Sequence, residues 1–567
     1  MRPGTRGRIA GVSSKPPAFR GPRHGRPGEQ LPKAAPGCAR SSARCSSRAG
    51  FWSGWASRSG ARVDLSGRLT YEACGIHACC ACDGGIFGAA PQRRAHYLQN
   101  EPDMVKKVHM ISLGCPKNRV DSEVMVGMIQ GDGAFEMVAD VEDAEIVVVN
   151  TCGFIDAAKE ESVDTIMEMV DLKKRGRLGK VVVTGCLSQR YSGELEKEIP
   201  EVDAILGTQT FTSINEALHG RLSQKTYIQP GSFIMDHEVA RTNTVRGGTA
   251  YLKIAEGCSR SCSFCIIPTI RGTQKSRSID DVVAEARKLG RAGVNEVILV
   301  AQDMTSYGID LDPKHNRDYL LRLLRRLDEE ADEISWVRLL YMYPWNFTDD
   351  LVEFFQTSDK LVPYVDMPLQ HINRRILKSM KRNIQRDAQA RLIDKLRGID
   401  DLVLRTSLIA GYPGETDAEF RELYDWVKEV EFDRVGVFVY SPEEGTPAGV
   451  MDDQVEEHVK VERRDALMEL QQGISERKNA EWVGQTTEVI VDGVSEEHEL
   501  VLEGRHYGQA PDIDGVVYLS FDYGGDVPVP GEFVEVEIQQ AGAYDLTGVV
   551  IPKDPLGLSD GELNLRS

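Results

Sequence analysis

The stretch Thr249–Cys265, TAYLKIAEGCSRSCSFC, decides the fold. Its first half is an apolar run of strand length, Gly257 breaks it, and Cys258, Cys262 and Cys265 follow in a C-x3-C-x2-C array. Toward the C-terminus the same texture returns in NEVILVAQD (295–303), SWVRLLYMYP (335–344), YVDMPLQ (364–370), LVLRTSLIAGYPGE (402–415) and DRVGVFVYSP (433–442), with amphipathic helical stretches between. Strands alternating with helices predict parallel βα units. Six units are too few for a closed eight-stranded barrel, so the pattern predicts an open (βα)6 barrel with its active site at the C-terminal strand ends. A helical stretch from Val455 to Glu481 follows. Short β runs with turns, TTEVIVDG (486–493), GVVYLSF (515–521) and EFVEVEIQQ (532–540), then predict a small antiparallel β-barrel.

Toward the N-terminus, three more apolar runs each end at a cysteine: KKVHMISLG at Cys115, EIVVVNT at Cys152 and KVVVTG at Cys186. Each is followed by a helical stretch, which predicts an N-terminal α/β domain with a parallel sheet. Parallel strands align their C-terminal ends along one edge, where open α/β sheets bind ligands, so three thiols distant in sequence can meet there. The expected organisation is a leader over 1–103, the α/β domain over 104–225, the barrel core over 244–481, the small barrel over 482–552 and a tail over 553–567. The leader is rich in Arg, Gly, Pro, Ser and Ala without periodicity and reads as disordered, either a transit-like segment or sequence upstream of a start at Met104. Its stretch CGIHACCACDGG fits no zinc spacing.

Twelve cysteines divide evenly at residue 100, and some 300 residues after Cys265 contain none. Clustered cysteines in a large acidic chain point to metal in a reducing compartment rather than to disulfides. Three thiolates in one short loop can hold three irons of a cubane cluster and leave the fourth iron open. Structural zinc would want a fourth ligand, and no His or further Cys lies nearby. No apolar run is long enough to span a bilayer.

The C-x3-C-x2-C array with Phe264 before its last cysteine, placed after a first barrel strand, resembles the radical S-adenosylmethionine (SAM) enzymes. Cys115, Cys152 and Cys186 resemble the N-terminal cluster ligands of the methylthiotransferases within that superfamily, and the likeness spans about residues 105–550. The resemblance implies two 4Fe-4S clusters, one on each cysteine triad. It also implies SAM as radical source and methyl donor, an electron donor and a sulfur source. It further implies that SLIAGYPGE (407–415), with Ile409 and Gly411, borders the SAM adenine, and that Gln302 and Asp303 lie where the SAM amino group binds. Gln370 and Arg405 sit at comparable strand ends. A plain strand-to-helix turn capped by Thr416 and Glu419 is the competing reading of the glycine segment, and a structural ion pair that of Arg405. His371 reads as structural.

SLGCPKNRVDSE, NTCGFIDAAKEES, MPLQHIN and VFVYSPEEGTPA resemble the RimO type, which modifies the β-carbon of an aspartate in small-subunit ribosomal protein S-twelve. The alternative is the MiaB type, which modifies tRNA; a non-catalytic zinc-stabilised RNA-binding protein is a third reading. The last segment, 482–567, resembles a TRAM domain, yet it carries 17 Asp+Glu against Arg505, Lys553 and Arg566. Nucleic-acid binding relies on Lys and Arg neutralising phosphate, so this barrel should repel tRNA and attract a basic ribosomal protein. Glu496, Glu497, Asp512, Asp514, Glu535 and Glu537 are the acids expected to steer it. A cytoplasmic enzyme without membrane association is implied.

Overall fold

The computed structural model describes residues 105–552, except 232, 313, 315–316, 383, 385, 496–499 and 522–526. The leader, its cysteine-rich stretch, Glu496, Glu497 and the tail lie outside the described residues.

The first sheet is built from β1 (Lys106–Ser112), β2 (Phe135–Met137), β3 (Ile146–Thr151), β4 (Lys180–Gly185), β5 (Ala204–Leu206) and β6 (Thr226–Tyr227). Helices α1 (Pro116–Asp132), α2 (Asp156–Lys174), α3 (Cys186–Glu198) and α4 (Ile214–His219) lie between them in the chain. The strand order is β2-β1-β3-β4-β5-β6, and every pairing is parallel. β1, β3 and β4 are therefore neighbours, and their ends are in register, Ser112 beside Asn150 and Asn150 beside Thr184. IVVVNT of β3 is buried throughout, as a parallel strand covered on both faces must be.

The second part contains β7 (Thr249–Lys253), β8 (Ala255–Glu256), β9 (Lys275–Ser276), β10 (Glu296–Val300), β11 (Trp336–Leu339), β12 (Leu361–Asp366), β13 (Val403–Ala410) and β14 (Arg434–Val439). Its helices are α5 (Ile267–Arg271), α6 (Ile279–Arg291), α7 (Tyr319–Glu330), α8 (Asp349–Thr357), α9 (Arg374–Ser379), α10 (Arg386–Leu396), α11 (Asp417–Val430) and α12 (Glu457–Ala480). Six parallel strands run in the order β7-β10-β11-β12-β13-β14 and do not close, the expected open (βα)6 arrangement. β8 and β9 form a two-stranded ladder beside the cysteine loop, which the strand pattern did not foresee.

Side chains alternate between two cores along these strands. Val297 and Leu299 of β10 join the core under the surrounding helices, whereas Ile298 and Val300 join a second core with Val120 and Val124 of α1. The concave face of the half-barrel is thus filled by α1 of the first sheet, not by barrel side chains alone. Ile490 and Ala510 complete this second core from the C-terminal barrel.

That barrel comprises β15 (Thr486–Val494), β16 (Leu502–His506), β17 (Val517–Ser520), β18 (Phe533–Ala541) and β19 (Leu546–Val550), closed in the order β15-β16-β17-β19-β18. All its pairings are antiparallel except β17 with β19, which is parallel. No helix among the described residues is long and apolar enough to cross a membrane.

Candidate functional site

Cys115 follows β1 and caps α1, Cys152 follows β3, and Cys186 opens α3 directly after β4. Adjacent strands lie about 4.8 Å apart, so three neighbouring strands ending level deliver three thiols to one edge. Two glycines make the approach possible. A Cβ on Gly114, which has φ +88°, would stand 2.8 Å from Cys152 Cβ, and one on Gly153 would stand 2.8 Å from the Leu187 backbone beside Cys186. Arg271 Nε donates to Cys186 Sγ at 3.3 Å.

Cys258, Cys262 and Cys265 occupy the loop after β7 and β8. The Arg260 N–H donates to Cys258 Sγ at 3.4 Å, and Cys258 N–H is tied to Gly272 O at 3.0 Å. None of the six cysteines is in a disulfide. Burial, with the neighbouring thiols Cys186 and Cys115, pushes the Cys152 thiol up to about 12. Burial likewise raises Cys258 to about 11 and Cys265 to about 12, and it raises Cys186 although Arg271 opposes it. Buried thiols of this kind become thiolates when a metal supplies the compensating charge. Among the described residues no three His, Cys, Asp or Glu side chains close on one point, as a single metal ion requires. A cubane takes each thiolate on a different iron and so does not require the three sulfurs to meet at one point.

The two triads are joined by buried ions. Arg271, on α5 just past the second triad, donates to Asp121 Oδ2 at 3.0 Å, Glu256 Oε2 at 3.0 Å and Asn118 Oδ1 at 3.1 Å. Lys253, the last residue of β7, pairs with Asp121 and with Glu256 at 2.8 Å. Burial alone would raise the Glu256 carboxyl, but Arg271 and Lys253 hold it near 2. Asp121 and Asn118 belong to α1, so this hub fixes the first triad against the second.

The residues expected to meet SAM divide. Phe264 and Ile409 meet in one apolar cluster with Ile376 and Tyr412. Gln302 Nε2 donates to Glu256 Oε1 at 3.2 Å, while its Oε1 is buried without a partner, an acceptor suited to an ammonium donor. Asp303 is engaged by Arg260 at 2.6 Å and Ser306 at 2.6 Å. Gln370 adopts φ +71° and bridges β13 through its backbone, to Ser407 O and from Ile409 N–H. Arg405 pairs with Asp366 at 2.7 Å and reaches Asp514 at 3.6 Å, the arrangement of an ion pair between barrels. Gly411, φ +76°, faces α12: a Cβ there would stand 2.3 Å from Lys460 Cγ. Glu415 Oε2 accepts from the Gly411 and Tyr412 N–H groups, and the capping box of Thr416 and Glu419 is present after it. His371 is wholly buried, its Nδ1 accepting from the Ile372 and Asn373 N–H groups.

Several site residues carry no signal in the sequence. Tyr343 lies between the guanidinium groups of Arg260 and Arg382, each 4.3 Å from its ring. Asp121, Lys253, Glu256 and Arg271 look like ordinary polar residues until their partners, up to 153 positions away, are known. Lys117 could have been noticed, since it stands two places after Cys115. Two of the acids expected to be surface charges have partners, Asp514 as a buried group and Asp512 while still exposed. Asp514 accepts from Tyr364 OH at 2.7 Å within the junction, and Asp512 pairs with Arg119 at 2.9 Å and accepts from Tyr251 OH at 3.1 Å. Glu535 and Glu537 are exposed on β18, with exposed Glu488 directly opposite Glu535 on β15.

Comparison with known proteins shows the family to which the chain belongs. Sequence profiles match the uncharacterized protein family UPF0004 over residues 107–207, the radical SAM superfamily over 252–427 and the TRAM domain over 483–551. The ribosomal protein uS12 methylthiotransferase RimO of Bdellovibrio bacteriovorus is 45% identical over 80% of this chain and 99% of its own. Those of an Anaeromyxobacter species and of Myxococcus xanthus are 48% and 47% identical, covering 80% and 79% of this chain and 95% and 93% of theirs. Among solved structures, the radical SAM methyltransferase TsrM of Kitasatospora setae aligns at TM-score 0.46 and 16% identity, over 61% of this chain and 77% of that one. With nearly the whole length of these relatives covered at such identity, the chain belongs to the RimO family of radical SAM methylthiotransferases.

Proposed function

We propose that this enzyme methylthiolates the β-carbon of an aspartate in ribosomal protein uS12, in the cytoplasm, with a 4Fe-4S cluster on each cysteine triad. The observation that carries this reading is the pairing of two complete triads across one buried ionic hub, which leaves no cysteine after Met104 unassigned. When bound, the clusters and SAM supply the radical, the methyl group and the site of sulfur transfer, drawing on an electron donor and a sulfur source. The chain's own residues hold and insulate. Cys115, Cys152 and Cys186 would ligate one cluster, and Cys258, Cys262 and Cys265 the other. Arg271 donates toward Cys186, placing positive charge beside a ligating sulfur. Glu415, pushed up to about 7 chiefly by burial, fixes the Gly411–Tyr412 turn beside the Phe264 and Ile409 cluster, where SAM would lie.

Electrostatics support a protein substrate over tRNA. Glu488, Glu535 and Glu537 present like charges on adjacent strands, an arrangement that costs stability and draws a basic partner. Mass spectrometry of uS12 and of tRNA from a strain lacking the gene tests the reading. The uS12 aspartate should lose its methylthio mass while tRNA keeps its own; the reverse pattern would overturn it.

A further inference from the structure

Lys117 is the second residue of α1 and only 6% exposed, yet its ammonium has no hydrogen-bond acceptor among the described residues. It rests 3.2 Å from the centre of the Tyr341 ring. The surrounding carboxylates are already engaged, Glu256 by Arg271 and Lys253, Asp366 by Arg405 and the Tyr341 N–H. The ammonium closes no ion pair and rests on an aromatic face, with the Cys115 thiol as its nearest uncommitted group of acidic character, whereas buried charges are otherwise paired. The N-terminus of a 17-residue helix adds positive potential at the same place. Tyr341, with φ +63°, stands two residues past the C-terminal end of β11, where the active site of a half-barrel lies, and Cys115 caps the helix that carries Lys117.

We infer that Lys117 is the specificity residue for the substrate, its ammonium receiving the side-chain carboxylate of the target aspartate. This rests on the proposed uS12 reading and names the group that recognises the modified side chain. A carboxylate on Lys117 brings the adjoining β-carbon beside the first triad, because Lys117 and Cys115 share the start of α1. A tRNA base offers no such carboxylate.

The test measures affinity, not turnover. Reconstituted holoenzyme and its Lys117→Gln variant are titrated anaerobically with purified uS12 and with uS12 whose target aspartate is changed to asparagine. The parent should prefer the aspartate form by about 10- to 100-fold, the range for a charge-assisted hydrogen bond in a buried site. Lys117→Gln should bind both forms alike, and Lys117→Arg should restore the preference in part. A variant that keeps the parent's ratio overturns the inference, whatever its iron content, because a lysine serving only the cluster or the fold would leave the ratio untouched. Equal binding of both forms by the parent overturns it as well. If Lys117→Gln fails to load iron, Lys117→Met, which keeps the aliphatic stem over Tyr341, gives the same ratio. A parent that neither binds nor modifies uS12 defeats the functional reading itself; a parent that modifies uS12 while the variant keeps its preference defeats only the role of Lys117.

Discussion

Replacing Arg271 with Met removes one cation from a hub in which Arg271, Lys253, Asp121 and Glu256 are all buried. Lys253 is then left to face two carboxylates. Breaking a buried pair by deleting one partner costs about 3–5 kcal/mol, because the remaining charge has no compensation. Since α1 supplies Asp121 and Asn118 while β7 and β8 supply Lys253 and Glu256, the cost falls on the seam between the first sheet and the half-barrel. Hydrogen exchange of the holoenzyme, compared at matched iron content, should show opening at Pro116–Asp132 and Thr249–Glu256 rise by about 140- to 3,700-fold, that energy converted at about 1.4 kcal/mol per decade. The C-terminal barrel strand β17, remote from the hub, should change little. Adding Glu256→Gln should recover at least half of the lost protection, because Lys253 and Asp121 then balance. Unchanged exchange at the seam, or a double variant worse than the single one, would refute the assignment of the hub as the clamp between the triads.

Ala at Cys258, Cys262 or Cys265 should abolish SAM cleavage, whereas Ala at Cys115, Cys152 or Cys186 should spare some cleavage and end methylthio transfer; 5'-deoxyadenosine and product assays separate the two. Reversing Glu488, Glu535 and Glu537 to Lys should slow association with uS12 by about tenfold at low salt, and less at high salt, since exposed charges are screened beyond a Debye length of about 8 Å at physiological ionic strength. Equal association rates at low salt would make that face a solubility feature. Burial holds His371 near 3, against Glu419 and with help from Arg375 and Arg463. A depressed histidine adds stability above its unfolded pKa and loses it as pH falls, so between pH 8 and 5.5 the parent should lose about 1.4 kcal/mol that His371→Gln does not. Glu415, 3.8 Å away and raised to about 7, acts oppositely, taking up a proton and gaining stability over that range. Only the difference between parent and variant, read from chemical denaturation at both pH values, isolates the histidine.

The strands and both triads were legible because their signals are local. An apolar run, a glycine and a cysteine sit within ten residues, and parallel topology does the rest. The expected helix over Val455–Glu481 is seen as Glu457–Ala480, since charge and periodicity mark its body but not its last turns. What stayed illegible depends on distant partners. Arg405 at a strand end could equally meet a cofactor or a carboxylate, and its partners Asp366 and, more than a hundred residues on, Asp514 are visible only in the fold. Asp512 and Asp514 were read with Glu535 and Glu537 as one acidic surface because charge in a sequence has no direction. In the fold Asp514 turns inward to Arg405, whereas Asp512 stays exposed while pairing with Arg119, and the other two are exposed on β18.

This division bears on how the enzyme can be both acidic outside and cation-rich at its centre. Arg271, Lys253, Arg405 and Lys117 converge where two sets of thiolates would bring negative charge, and three of the four are already neutralised by carboxylates. Apolar packing alone would allow α1 to slide along the concave face, because such contacts have little directionality. Ion pairs with fixed geometry do not, and a shift by one helical step would strand Asp121 in a low-dielectric interior and leave Arg271 and Lys253 with Glu256 alone. The hub therefore sets the register of the first triad against the second, which apolar burial stabilises but does not specify. Lys117 differs from the other three cations in having no carboxylate partner, and a site that must admit a charged side chain needs one cation left open.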